Sequence, residues 1–257
     1  MFKKTALTFA LISAFAAPAM AGGFTNGGFE SGTLAGWTQG SGYASGNTAA
    51  LNPNNYLPGG SRYSAGYSSV TITNSGGTDA ITGAATTYNG AHAVRINDSV
   101  NNYGVNVIKQ TVTNYTDAQI VFEWNAVLED SHGLTDSDAF NLTLTDDTTN
   151  SILFQKSFSS ASAPGTFTQF GNWYSSGWQV ESLDVSALSG HTFSLSLLAT
   201  DCPYGGHAGY VYLDGFAATQ VPNIPTAVPE PETNAMLLAG LALMGAVARR
   251  RTKKSAA

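Results

Sequence analysis

A single cysteine, Cys202, in 257 residues excludes an intrachain disulfide, so stability has to come from a hydrophobic core. A lone cysteine in a β-rich chain is more often a small buried hydrophobe than a reactive thiol. Basic side chains are nearly as scarce in the body of the chain. Lys3, Lys4, Arg249, Arg250, Arg251, Lys253 and Lys254 sit in the terminal segments, and between Gly22 and Val228 only Arg62, Arg95, Lys109 and Lys156 remain. Fifteen acids share that stretch, which puts it at −11. A surface so short of cations cannot neutralise phosphates, which argues against nucleic acid and anionic lipid as partners. It suits divalent cations, or is simply a solvated acidic surface. Catalytic signatures are missing too: there is no G-x-S-x-G elbow, H-E-x-x-H helix, P-loop or nucleotide fingerprint. Asp136-x-Asp138 lacks the glycine and terminal Glu of an EF-hand loop. A glycosidase needs two carboxylates meeting across a cleft. Glu123, Glu129, Asp130, Asp136 and Asp138 read instead as strand or loop acids, and the chain is expected not to be an enzyme.

What is present is β patterning. Thr192 to Leu197 alternates strictly, with Phe193, Leu195 and Leu197 on one side. Phe140 to Thr145 does the same, and Ile120, Phe122, Trp124, Ala126 and Leu128 form a third apolar face. His92–Ile96, Val105–Val112, Ile152–Phe158 and Tyr210–Phe216 are further strand segments. Period-two alternation separated by turn-rich gaps predicts an all-β antiparallel two-sheet sandwich, each strand burying one face. The 28 glycines supply turns. With no internal repeat and no sustained helical periodicity, one domain over 22–219 is expected.

The two termini have their own logic. Lys3-Lys4, an apolar run from Ala6 to Ala17 and the step Ala19-Met20-Ala21 predict a secretory signal helix over 1–21, cut by signal peptidase after Ala21. Residues 220–232 carry four prolines, at 222, 225, 229 and 231, which favour an extended spacer. Residues 233–257 hold an apolar run that stops at Arg249-Arg250-Arg251. Sixteen residues from Thr233 make about 24 Å of helix, short of a ~30 Å hydrocarbon core. A basic cluster after an apolar run nevertheless holds a terminus inside the cell, and arginine stems snorkel. A short C-terminal transmembrane helix in the inner membrane is therefore expected.

Val228-Pro229-Glu230-Pro231, then Leu237 to Leu241, Gly245 and the arginine run resemble the PEP-CTERM sorting signal of Gram-negative bacteria. The resemblance implies an exosortase-type protease as partner, removal of the tail near Pro-Glu-Pro, and delivery to the cell surface or exopolysaccharide layer. A plain single-pass anchor is the alternative.

Asn26-Gly27-Gly28-Phe29-Glu30, followed by Trp37 and closed by Tyr210 to Asp214, is similar to galactose-binding-like jelly-roll domains, a group that includes many carbohydrate-binding modules. The resemblance implies a jelly roll whose first and last segments clasp a structural Ca²⁺ through Glu30 and Asp214, with Asn26 as a weaker third. The family often has two acids on the closing strand; Gly215 stands where the second would be. Hard carboxylate oxygens do suit Ca²⁺.

Trp173 and Tyr174 are the residues expected to stack on extracellular polysaccharide, since aromatic faces pack on sugar C–H surfaces; Trp178 reads as core. His207, in the Gly205-Gly206-His207 turn, is a further ligand-binding residue or metal ligand, unless it only satisfies a turn. Two functions compete: a glycan-binding or adhesion module, and a structural matrix protein without a pocket. A glycoside hydrolase trails both.

Overall fold

The computed structural model describes residues 23–217 except 131, 163 and 164. The signal helix, the proline linker and the apolar tail with their processing residues lie outside the described residues. Among the described residues no helix is long and apolar enough to cross a membrane.

Twelve strands make two antiparallel sheets. The first runs β1 (Thr38–Tyr43), β4 (Gly104–Val112), β11 (Phe193–Thr200), β6 (Ala139–Asp146), β7 (Ser151–Phe158). The second runs β2 (Val70–Asn74), β3 (His92–Ile96), β12 (Gly209–Ala217), β5 (Gln119–Glu129), β9 (Trp173–Ser175), β8 (Thr168–Phe170). A further strand, β10 (Gln179–Asp184), extends the free side of β5 below β9. The expected all-β sandwich is what forms, and every strand segment read from alternation is a strand.

The core lies between the sheets. Phe193, Leu195, Leu197, Phe140, Leu142 and Trp124, all expected to point inward, belong to one buried cluster. Burying each such side chain contributes about 1.5–3 kcal/mol. One end of the sandwich is plugged by rings from the Asn26–Trp37 segment: Trp37 lies 4.9 Å from Phe216, Phe29 lies 5.4 Å from Trp37, and Phe122 stacks on Phe216 at 4.7 Å. Phe29 takes a left-handed φ of 56°, costing on the order of 1–2 kcal/mol, which its full burial offsets.

One expectation needs correction. β11 and β12 are buried along their whole lengths, not on one face. Long loops cover the outer faces: Leu51 and Tyr56 seal Val105, Val107 and Leu198, while Ile81 covers Val127, Tyr210 and Tyr212. β1 escaped the alternation test for the same reason. A Cβ at Gly40 would overlap the carbonyl oxygen of Tyr56, and one at Gly42 that of Arg62, so glycine is needed where the loop lies on the strand.

Candidate functional site

Glu30 and Asp214 meet on one short segment, the run of backbone amides entering β3. Glu30 accepts hydrogen bonds from the Ala91 amide at 2.9 Å (Oε2) and 3.1 Å (Oε1), and from the His92 amide at 3.3 Å. Asp214 Oδ2 accepts from the Tyr88 and Asn89 amides, each at 2.9 Å. Gly90 lies between them with φ 64°, and a Cβ there would overlap the Glu30 carboxylate. The first loop also bonds the last strand directly, Phe216 N–H donating to Gly27 C=O at 3.1 Å. Asn26 uses its side chain within its own loop: Nδ2 donates to Thr33 C=O at 2.8 Å and Oδ1 accepts from Ser31 N–H at 3.1 Å.

The residue that sequence reasoning missed is Glu123. It sits in β5 directly opposite Asp214 of β12, fully buried, and neither carboxylate oxygen has a hydrogen-bond partner. The register then slips between Asp214 and Ala217. Gly215 takes φ 68° in this bulge, and a Cβ there would overlap Glu123 Oε2. The acid absent from the closing strand is thus replaced in space by one from the neighbouring strand. Two carboxylates facing each other across a ladder repel. Burial, reinforced by Asp214, pushes Glu123 up to about 8. Burial raises Asp214 to about 7; the Asn89 and Tyr88 amides hold it down in part, and the Glu30 charge opposes them. Orphaned, buried carboxylate oxygens beside a second carboxylate fit a hard cation: Asp214 and Glu123, with Glu30 at the mouth, are the groups that would hold Ca²⁺.

The expected sugar-stacking pair is divided. Trp173 and Tyr174 are neighbours in β9, so their side chains leave opposite faces. Trp173 pairs with the exposed Phe170 of β8 and packs on Tyr210 at 5.9 Å. Tyr174 stands opposite Leu128. Trp178 is half-buried on the outer face and not in the main core: its ring lies 5.6 Å from Tyr88 and its Nε1–H donates to Ala85 C=O at 3.0 Å.

The exposed aromatics gather at the opposite end of the sandwich from Glu30. Tyr43 ends β1 opposite Gly104. Tyr63 bridges Gly42, and Tyr67 faces Tyr43 at 6.0 Å between centroids. Tyr103 accepts from Ala44 N–H through its carbonyl at 2.6 Å, and its hydroxyl covers the Gly205 turn beside Tyr204. Tyr43, Tyr63, Tyr103 and Tyr204 are 41–69% exposed. They are scattered over 160 residues, so no local pattern announces them. His207 lies in that same turn, beside His132 and Cys202.

Residues 227–251 match the PEP-CTERM protein-sorting motif. The chain carries a PEP-CTERM sorting signal. Val228, Pro229, Glu230, Pro231 and Arg249–Arg251 all fall within the match, and the motif implies export and exosortase processing. No curated protein matches the chain in sequence. Among solved structures, the body is similar to the module TmCBM61 in complex with beta-1,4-galactotriose, at 13% identity over 76% of this chain and 96% of that one, with a TM-score of 0.42. It is also similar to a carbohydrate-binding module of the beta-sandwich superfamily (11% identity, 77% and 62% covered, TM-score 0.38). A third is the K1 cleaved adhesin domain of Lys-gingipain from Porphyromonas gingivalis W83 (12% identity, 73% and 92% covered, TM-score 0.39). At this distance the likeness concerns strand layout alone.

Proposed function

We propose that the exported PEP-CTERM protein displays a non-catalytic glycan-binding module on the cell surface, tied at its closing end by a structural calcium ion. The observation that carries the binding role is the rim of exposed tyrosines, Tyr43, Tyr63, Tyr67 and Tyr103, at one end of a rigid sandwich. Large exposed aromatic faces cost solvation unless a ligand covers them, and tyrosine offers a stacking face with a hydroxyl to read neighbouring sugar hydroxyls. Glu123 is sealed from solvent, so the Glu123–Asp214 pair is closed to a substrate; this supports a cation-holding role over a glycosidase one. Delivery by an exosortase substrate signal places the rim where extracellular polysaccharide is the abundant partner. The form recovered from the surface ends near Pro229–Glu232 in this reading, and its intact mass tests that step.

Binding is tested with the cell's own exopolysaccharide in a pull-down and with a glycan array. Replacing Tyr43 and Tyr63 together by Ala removes two stacking faces, each worth about 1 kcal/mol, and weakens binding about 30-fold with far-UV CD unchanged. Loss in Trp173→Ala but not in the tyrosine double variant would move the site to the Phe170–Trp173 sheet edge. No binding to any glycan would favour a structural matrix protein.

A further inference from the structure

The turn that joins β11 to β12 is built to bring Cys202 and His207 together. Cys202 N–H donates to His207 C=O at 3.0 Å and Gly205 N–H to Cys202 C=O at 3.2 Å. Gly205 and Gly206 take φ of 81° and 93°, a conformation glycine adopts without steric cost. The connection from β5 to β6 then lays His132 over the pair: its Nδ1 lies 3.1 Å from Cys202 Sγ, and its ring centroid 4.4 Å from that of His207. One ligand atom from each of the three side chains falls within 4.8 Å of the others. His207 Nδ1 is buried with no hydrogen-bond partner, an arrangement that costs about 1–3 kcal/mol unless something occupies it.

We propose that His132, Cys202 and His207 form a binding site for a borderline-soft divalent transition metal, with zinc(II) as the reference ion. One sulfur and two imidazoles are the donors such ions select, whereas calcium and magnesium prefer oxygen. Zinc bonds of about 2.3 Å to sulfur and about 2.0–2.1 Å to nitrogen hold tetrahedral ligand atoms about 3.5 Å apart; small ring rotations reach that from the observed spacing. Three protein ligands leave a fourth position on the exposed His132 side. A free catalytic thiol fits less well, because Cys202 is fully buried and its S–H faces Asp136 C=O at 3.2 Å. The site is separate from the carboxylates of the closing end: Cys202 and His207 precede β12, while Asp214 lies near its other end. A bound ion would cross-link the two loops beneath Tyr103 and Tyr204.

The test titrates zinc(II) and cobalt(II) into the reduced full chain at neutral pH, with excess calcium and magnesium filling the oxygen sites. One equivalent of cobalt(II) is expected to bind with sulfur-to-metal charge-transfer absorption in the near ultraviolet, and zinc(II) to displace it. Cys202→Ser should abolish that absorption, and His207→Ala should weaken zinc binding at least tenfold. His132 is exposed, so His132→Ala leaves the fold intact and should weaken binding similarly. The absence of a sulfur-to-cobalt band in the unaltered chain overturns the proposal. So does zinc affinity unchanged in His132→Ala, which would assign the ion to the acidic surface.

Discussion

Asp201 and Glu123 are both buried completely and both carry raised pKa values, yet their surroundings differ in kind. Asp201, at the tyrosine end, accepts from Asn97 Nδ2 at 2.8 Å, Asn102 N–H at 3.1 Å, Gly104 N–H at 2.7 Å and Gly209 N–H at 3.4 Å. Asn97 in turn accepts from Asn106 Nδ2 at 2.8 Å, and Asn106 donates on to Tyr67 C=O at 3.1 Å. Burial lifts Asp201 to about 6, and these donors hold it there. Glu123 has no such donors and faces another acid. A satisfied buried carboxylate is a joint, here the one that fixes the loops under Tyr67 and Tyr103. An unsatisfied one is a site.

The largest test of that contrast is Asp201→Ala. It strands several buried donors and should cost roughly 3–5 kcal/mol, about 10 °C in Tm, measured by thermal and urea unfolding. A loss under 1 kcal/mol would mean that the network is not a joint. At the other end, calcium at a hundredfold excess over Kd should add about 2.7 kcal/mol, several degrees in Tm. Asp214→Ala should abolish the gain, and magnesium at equal ionic strength should not reproduce it; equal responses would leave only screening of an acidic surface.

The pH dependence sharpens the comparison further. Glu123 is raised from 4.5 to about 8 and Asp214 from 3.8 to about 7, so over that window the folded chain binds more protons than the unfolded one. Without calcium, stability should therefore fall as pH rises from about 5 to 8, each group contributing up to about 1.4 kcal/mol per pH unit. Glu123→Gln should flatten part of the fall, leaving the share of Asp214 and Asp201; an unchanged slope would show that Glu123 does not titrate as placed. Gly215→Ala should cost about 1–2 kcal/mol, from the left-handed φ and the overlap with Glu123. In a Glu123→Ala background only the φ part should remain, a difference a double-mutant cycle resolves. Smallest of all, Tyr43→Ala should change stability by no more than about 0.5 kcal/mol while still weakening glycan binding.

Much of the fold was legible because it is written locally. The alternation in Phe193–Leu197, Phe140–Leu144 and Ile120–Leu128 names both the strands and the face that turns inward. β1, β8, β9 and β10 were not legible. They are short, edge-lying or glycine-bearing, and their pairing depends on partners far along the chain. Of the site, Glu30 and Asp214 were legible through a motif, and the structure sets both on the amides of residues 88–92. Glu123 was read as a strand acid, since a Glu in an apolar strand carries no sign of what stands across from it. Trp173 and Tyr174 were paired by adjacency, and the pleat separates them.

The sequence by itself determined that this is an acidic, disulfide-free β chain with a PEP-CTERM sorting signal, because composition, period-two alternation and contiguous motifs are properties of neighbouring residues. The tertiary structure alone decided which acids meet, that Gly215 makes room for Glu123, that five dispersed tyrosines share one rim, and that the only cysteine lies between two histidines. Each of these depends on strand register and loop closure over separations of tens of residues, and register is fixed by the packing of the whole sandwich and not by any local stretch.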